Sequence, residues 1–256
     1  MRNLERRHPF DAVSGEPFSD QLCQRLCRAS PVRPFAAKFG GKFIALMAMT
    51  IIGGVIVPAT AESLHKVLAS PLVEEGSEPD GCSPAVSGLG GPAEWQVRVE
   101  RLLLDGKALV EVTREADPNR FPLCIADLPV AKNAEVDLSF VAHDGRIARA
   151  AGIVLRFADP QDYYVVEADA LAGNVRFVRI INGERREIAG HAVPLVIGEA
   201  HTLKIKAVDA SFSVSLDGKF QFEAQDGAIA APGRFGVWSR GDSLTSFGDL
   251  FITILD

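Results

Sequence analysis

A two-residue alternation of apolar and polar side chains runs from Glu94 to the end of the chain. This period is typical of β-strands that bury one face. It recurs in the segments EWQVRVER, KALVEVTR, AEVDLSFVA, AGIVLRFA, DYYVVEADA, VRFVRIIN, ERREIAG, HTLKIKAVD, SFSVSLDG, KFQFEAQ, RFGVWSR and DLFITILD. Because no apolar pattern of helical period interrupts these segments, the sequence predicts an all-β domain.

Short turn signals separate the predicted strands. Asp105-Gly106, Asn182-Gly183, Asp217-Gly218 and His143-Asp144-Gly145 contain residues that tolerate positive φ, as tight hairpin turns require. Such turns join antiparallel strands, whereas a parallel sheet needs long crossover connections. We therefore predict an antiparallel β-sandwich of the jelly-roll type, formed as a single domain by residues 93–256.

The N-terminal region has the features of a targeting signal. An apolar run from Phe43 to Val57 is followed by Ala59-Thr60-Ala61, an A-x-A cleavage pattern, so residues 34–61 are predicted to be a signal peptide. A membrane anchor is the alternative, but the run is shorter than the roughly 20 apolar residues of a spanning helix and contains Gly53-Gly54. We expect a periplasmic or secreted protein without a stable membrane anchor after cleavage.

Two further segments lie outside the predicted sandwich. Residues 1–33 form a polar extension that is too long for an ordinary signal-peptide start, and translation from near Val32 would explain it. Residues 62–92 are rich in Gly, Pro, Ser and acidic residues and lack a sustained period, so we predict a flexible acidic lead-in.

Charge and cysteine usage bear on the partners and the folding compartment of the chain. Removal of residues 1–61 would take away eight basic and four acidic residues, which would move the net charge from −6 to about −10. Such a surface does not favour nucleic acid as a partner. Cys82 and Cys124 remain in the mature part and are predicted to form a disulfide that closes a loop of about 40 residues, although two unrelated buried thiols are the alternative.

The segment between Arg156 and Asn182 carries a family resemblance. The runs DPQDYYVVEADALAGNVRFVRIINGERRE, HTLKIKA, SFSVSLDGKFQFEAQD and GRFGVWSRGDSLTSFGDL resemble concanavalin-A-like β-sandwich domains grouped with 3-keto-disaccharide hydrolases and laminin-G-like modules. The resemblance covers roughly Trp95 to Leu255 and implies an extracytoplasmic domain. This chain has Glu167 where the family usually has Arg, and Asp169 where it usually has Asn.

Alternation within this segment assigns side chains to two faces. Tyr164, Val166 and Ala168 are predicted to face the core, while Glu167 and Asp169 lie on the opposite, solvent-exposed face. Laminarinase-type glucanases use a Glu-x-Asp motif that is followed by a second glutamate, which this chain lacks. The alternative interpretation is a pair of exposed acids neutralised by arginines.

A polar group is predicted to gather on that face and to bind a ligand. Its members are Arg156, Glu167, Asp169, Arg176, Trp238, Arg240 and Asp242. Guanidinium and carboxylate groups can hold sugar hydroxyls, and an aromatic ring can stack on a pyranose. A core or rim position is the alternative for Trp238. The leading hypothesis is a carbohydrate-binding protein, and the alternatives are a glycoside hydrolase and a protein-interaction module.

No metal or cofactor is expected to be essential. The histidines are dispersed without metal-ligand spacing, so zinc is not predicted. Acidic loops around Asp159 and Asp162 leave calcium as a weak hypothesis, since no twelve-residue calcium-loop pattern is present.

Overall fold

A computed structural model describes residues 62–66, 68 and 72–255 of the 256-residue chain. The predicted N-terminal extension and signal peptide lie outside these residues. The described part of the chain consists of strands and their connections, and no helix in it has the length and apolarity needed to cross a bilayer.

Fifteen strands follow one another along the described chain. They are β1 (Glu62–Lys66), β2 (Cys82–Gly88), β3 (Trp95–Val99), β4 (Lys107–Glu111), β5 (Arg120–Ala126), β6 (Ala134–Asp144), β7 (Ala150–Asp159), β8 (Asp162–Asp169), β9 (Asn174–Ile181), β10 (Glu184–Ala192), β11 (Ala200–Val208), β12 (Ser211–Leu216), β13 (Lys219–Gln225), β14 (Arg234–Trp238) and β15 (Leu244–Ile254).

The strands form two antiparallel sheets. The seven-stranded sheet has the order β10-β9-β8-β7-β14-β5-β2. The eight-stranded sheet has the order β13-β12-β11-β6-β15-β4-β3, with β1 paired to the C-terminal half of β15. Two stacked antiparallel sheets confirm the predicted β-sandwich, in which non-consecutive neighbours such as β6 and β15 are brought together by long connections.

The main core lies between the sheets and follows the predicted alternation. Tyr164, Val166 and Ala168 of β8 are fully buried in the main core cluster. Strand β6 contributes Val136, Leu138 and other alternate residues to the same cluster. The prediction of the inward face of β8 is therefore confirmed.

The opposite face of the seven-stranded sheet is also apolar, and here the sequence-based expectation was wrong. A second apolar group, the outer cluster, consists of Phe121, Leu123, Ile125, Ala148, Ala150, Val154, Phe157, Tyr163, Val165, Val178, Ile180 and Trp238. Glu167 and Asp169 lie on the same face of β8 and are only 1% and 3% exposed. The continuous apolar run at 163–166 is typical of a strand buried on both faces, which explains why alternation alone misassigned this face.

Two strands lie within the predicted lead-in. Strand β1 pairs with β15, and β2 forms an edge of the seven-stranded sheet by pairing with β5. Cys82 of β2 and Cys124 of β5 form the predicted disulfide, with 5.4 Å between their Cα atoms. Because β2 has one neighbouring strand, the disulfide adds a covalent link where the hydrogen-bonding ladder is one-sided.

Candidate functional site

A small polar pocket lies on the outer face of the seven-stranded sheet, where β8, β9 and β10 meet the loops that precede β5 and follow β14. We call it the arginine pocket. Its volume is about 210 Å³. It is lined by Pro118, Asn119, Phe121, Glu167, Arg176, Val178, Arg185, Glu187 and Arg240. Three predicted site residues, Glu167, Arg176 and Arg240, are therefore brought together here.

Glu167 lies at the base of the pocket between two guanidinium groups. Its Oε1 is 2.6 Å from Nη2 of Arg176, and its Oε2 accepts a hydrogen bond from Nη2 of Arg185 at 2.9 Å. Register explains the first contact, because Glu167 and Arg176 are directly opposite across β8 and β9. The interpretation of Glu167 as an arginine-neutralised acid is confirmed, although the side chain is buried and not exposed.

The arginines retain hydrogen-bonding capacity after pairing with Glu167. Nε of Arg176 and Nη1 of Arg185 are buried and have no hydrogen-bond partner among the described residues. A guanidinium group carries five N–H donors in a fixed plane, so one carboxylate cannot satisfy all of them. Buried donors without a partner are costly, and a bound ligand that supplies acceptors would remove this cost.

Aromatic rings hold one of these arginines in place. The guanidinium carbon of Arg185 lies 4.2 Å from the ring centre of Phe121 and 5.4 Å from that of Trp238. Phe121 and Trp238 are stacked, with ring centres 5.6 Å apart. Trp238 is fully buried, so it offers no free face to a sugar, which corrects its expected stacking role. Instead, its ring lies beneath the guanidinium group of Arg185 in a cation–π contact.

The rim of the pocket is more exposed. Arg240 donates from Nε to the carbonyl oxygen of Pro118 at 3.1 Å, and its terminal nitrogens have no partner among the described residues. Glu187 is half-exposed and lies 3.8 Å from Nη1 of Arg176. The rim therefore offers one guanidinium group and one carboxylate to solvent.

Arg156 lies elsewhere and has a different role from the one predicted. The residue is 1% exposed, and its guanidinium group donates to the carbonyl oxygens of Lys132, Asp209 and Ile229 at 3.0, 2.6 and 2.7 Å. The donor groups thus connect three separate segments of backbone. Arg156 also has a φ of 49° at an irregularity between β7 and β8, so simple alternation does not give its direction.

The two remaining predicted acids shape the backbone. Asp169 accepts through Oδ1 from the backbone N–H groups of Arg149 and Leu171, at 3.1 and 2.9 Å. Asp242 accepts through Oδ1 from the N–H groups of Arg146 and Ile147, at 3.1 and 2.8 Å. Oδ1 of each carboxylate is therefore occupied by backbone N–H groups of nearby turns, and Oδ2 of Asp242 also accepts from Arg146 N–H.

Electrostatics at Asp242 agree with this structural role. Burial raises the pKa of the Asp242 carboxyl, but hydrogen bonds from backbone N–H groups, including those of Arg146 and Ile147, outweigh burial and leave the pKa below its ordinary value. The bonds stabilise the charged form. Asp242 therefore acts as a fixed anion that organises the turn after β6.

Arg185 is the pocket residue that the sequence interpretation missed. It lies in the run ERRE at the start of β10, next to another arginine. Strand alternation separates Arg185 from Arg186, so the two point to opposite faces, and either could have been assigned to the ligand face. The contact with Glu167 spans the intervening strand β9 and has no short-range signal in the sequence.

The acids considered for calcium also bind backbone. Oδ1 of Asp159 accepts from the N–H of Gln161 at 2.7 Å, and Oδ1 of Asp162 accepts from the N–H of Asn182 at 3.2 Å. Within the described ranges, no group of three or more His, Cys, Asp or Glu side chains is arranged to hold a metal ion.

An open groove of about 490 Å³ lies on the eight-stranded sheet. Its floor includes Val110 and Leu244, and its polar wall includes His143. Nε2 of His143 is 2.9 Å from Oε2 of Glu100 and 3.0 Å from Oγ of Ser246. Because both partners meet the same ring nitrogen, the three groups do not form a nucleophile, base and acid relay.

Comparisons with known proteins identify the fold but no family. No family model matches the chain, and no curated protein matches it. The carbohydrate-binding module CBM66 from Bacillus subtilis is similar in structure, with a TM-score of 0.51, 18% identity, and coverage of 66% of this chain and 94% of that one.

Two further solved structures have lower similarity. Domain 4 of the extracellular arabinanase AbnA from Geobacillus stearothermophilus, in complex with arabinotriose, has a TM-score of 0.46 and 12% identity, covering 74% of this chain and 93% of that one. The β-glucanase of Bacillus licheniformis has a TM-score of 0.46 and 9% identity, covering 76% and 98%. The resemblance to 3-keto-disaccharide hydrolases stays a hypothesis. The two antiparallel sheets and the likeness to the carbohydrate-binding module show that this chain has a jelly-roll β-sandwich fold.

Proposed function

We propose that the protein binds a carbohydrate in the arginine pocket and acts outside the cytoplasm. The observation that carries this proposal is the set of guanidinium N–H groups without partners at Arg176, Arg185 and Arg240. The three arginines line a cavity of about 210 Å³ that opens on the outer face of the sheet. Sugar hydroxyls and carboxylates supply the acceptors that such donors lack.

The fold and the disulfide support the same proposal. The structural likeness to a carbohydrate-binding module makes a sugar a reasonable ligand by analogy of fold. A disulfide between Cys82 and Cys124 is typical of proteins that mature in an oxidising compartment, where extracellular glycans are found.

Binding is better supported than cleavage. A retaining glycoside hydrolase needs a carboxylate oxygen that is free to attack the anomeric carbon. Both oxygens of Glu167 already lie within 3 Å of guanidinium nitrogens of Arg176 and Arg185. The pocket therefore resembles a recognition site more than a site with a free nucleophile.

Affinity gel electrophoresis against a panel of soluble polysaccharides tests the proposal. We expect the wild-type protein to be retarded by at least one glycan and Arg240→Ala to lose at least about tenfold in affinity, because a charge-assisted hydrogen bond to the ligand is removed. Arg240 is suitable because its removal leaves the ion pairs of Glu167 intact. Arg98→Ala, on the other sheet, is the matched control and should bind like wild type. Retardation by no glycan, or equal binding by Arg240→Ala, would refute the proposal.

A further inference from the structure

The charge balance of the arginine pocket differs from that of the whole chain. The chain has a net charge of −6, yet the pocket contains three guanidinium groups, of Arg176, Arg185 and Arg240, against two carboxylates, of Glu167 and Glu187. The pocket is thus a local positive site on an acidic protein. The acidic surface of the protein repels polyanions in general. The positive pocket attracts an anionic group that is small enough to enter it.

Most of the buried pocket atoms without a hydrogen-bond partner are donors. Nε of Arg176 and Nη1 of Arg185 are buried and have no partner among the residues that the structure describes. Oε2 of Glu167 accepts a hydrogen bond from Arg185, whereas Oε1 forms an ion pair with Arg176 at 2.6 Å that lacks hydrogen-bond geometry. Two donors without a partner thus lie beside one carboxylate oxygen that is already ion-paired, so the interior needs acceptors more than donors. A neutral sugar hydroxyl brings a donor with each acceptor, whereas a carboxylate or sulfate brings acceptors alone.

Geometry adds to this preference. Arg185 is fixed by its stacking on Phe121, and Arg176 is fixed by its contact with Glu167, so both guanidinium planes are held before a ligand arrives. A preorganised guanidinium plane can form two parallel hydrogen bonds with one oxyanion. The positioned donors reduce the entropic cost of binding.

We propose that the arginine pocket selects an anionic glycan, whose carboxylate or sulfate group is held by Arg176, Arg185 and Arg240. This inference rests on the proposed carbohydrate-binding function and specifies its ligand class. One added negative charge would neutralise the excess positive charge of the pocket. Glu187 remains at the rim, half-exposed, as an acceptor for a neighbouring sugar hydroxyl.

The test uses polysaccharides that differ in charge and share a backbone. Affinity electrophoresis and titration calorimetry would compare polygalacturonate with its methyl-esterified form, and dextran sulfate with dextran. We expect at least about tenfold tighter binding of one anionic member than of its neutral counterpart, with affinity falling as salt rises. The first pair reports on carboxylate and the second on sulfate.

Two variants separate pocket binding from general attraction to polyanions. Arg240→Gln should lose about tenfold in affinity for the anionic glycan, whereas Arg98→Gln on the other sheet should leave it unchanged. Glu187→Gln removes a negative charge from the rim and should tighten anionic binding by about two- to fivefold, with no such gain for a neutral sugar. These opposite changes would not follow from a merely structural role of the pocket.

The outcomes distinguish this inference from the proposed function. Equal binding of the charged and neutral members, lost in Arg240→Gln, would overturn the anionic preference and leave carbohydrate binding standing. Anionic binding that Arg98→Gln weakens as much as Arg240→Gln would place the attraction outside the pocket and overturn the inference. Binding to no glycan at all would overturn both.

Discussion

Arg156 extends its guanidinium group into the space between three backbone segments and donates to a carbonyl oxygen of each. Its sequence context marked it as a ligand-binding candidate because guanidinium groups can hold sugar hydroxyls. The bulge after Leu155 changes the direction of the chain at this point. Gly233 leaves room for the backbone of Arg156, since a Cβ on Gly233 would lie 2.3 Å from the backbone carbon of Arg156. Neither the bulge nor the close approach of Gly233 to Arg156 has a clear signal in the sequence.

We predict that Arg156→Met lowers the free energy of unfolding by about 3 kcal/mol or more, because three partly buried carbonyl groups lose a charged donor. Urea unfolding monitored by fluorescence measures this change. Arg234→Met is the matched control, since its guanidinium group lies over the ring of Phe157 and its removal should cost only about 0.5–1 kcal/mol. A loss below about 1 kcal/mol for Arg156→Met would contradict the structural role.

At the scale of single elements, the hairpin of β8 and β9 shows what alternation can and cannot predict. The strand positions, the Asn182-Gly183 turn and the inward side chains of β8 followed from local pattern, and Asn182 has the expected positive φ of 51°. Local pattern did not predict that the outward face of β8 is buried, because this burial depends on Val154, Val178 and Trp238 of other strands in the sheet. Side chains contributed by other strands decide whether such a face is buried.

Asp169 ends β8 and binds the backbone of the turn that follows. We predict that Asp169→Ala lowers the free energy of unfolding by about 1–3 kcal/mol, because the partly buried N–H groups of Arg149 and Leu171 lose their acceptor. Chemical denaturation measures the loss, and Asp169→Asn, which keeps one acceptor oxygen, should recover part of it. Glycan affinity, corrected for the folded fraction, should stay within twofold of wild type. Lost affinity with unchanged stability would return Asp169 to the binding site.

For the whole molecule, the two-sheet sandwich was predictable because repeated alternation and turn signals exclude most other architectures. The arginine pocket was only partly predictable. Glu167 and Arg176 are close in sequence and directly paired in register, whereas Arg185 and Arg240 reach the pocket from β10 and from the loop after β14. Pattern within one segment does not specify how distant segments converge.

The disulfide also belongs to the scale of the whole molecule, because Cys82 and Cys124 are separated by 42 residues. We predict that the double variant Cys82→Ser/Cys124→Ser loses about 3–4 kcal/mol of stability, mainly because its unfolded chain is less restricted. Thermal and urea unfolding of the variant, beside wild type with and without reductant, measure this loss. Glycan affinity should be retained by the folded variant. Modification of both cysteines by a thiol reagent in denatured, unreduced wild-type protein would show that the bridge does not form.

The pairing of β1 with β15 brings the two ends of the described sandwich together, with Glu62 opposite Ile254. A short linker could join these ends, and the chain could then be opened at an exposed hairpin turn such as Asn182-Gly183. Such a circular permutant would keep every strand pair and would lose only the covalent turn that was cut. The fold thus specifies which strands are neighbours but leaves the position of the chain termini open to redesign. New termini at this turn would allow a reporter to be fused close to the arginine pocket.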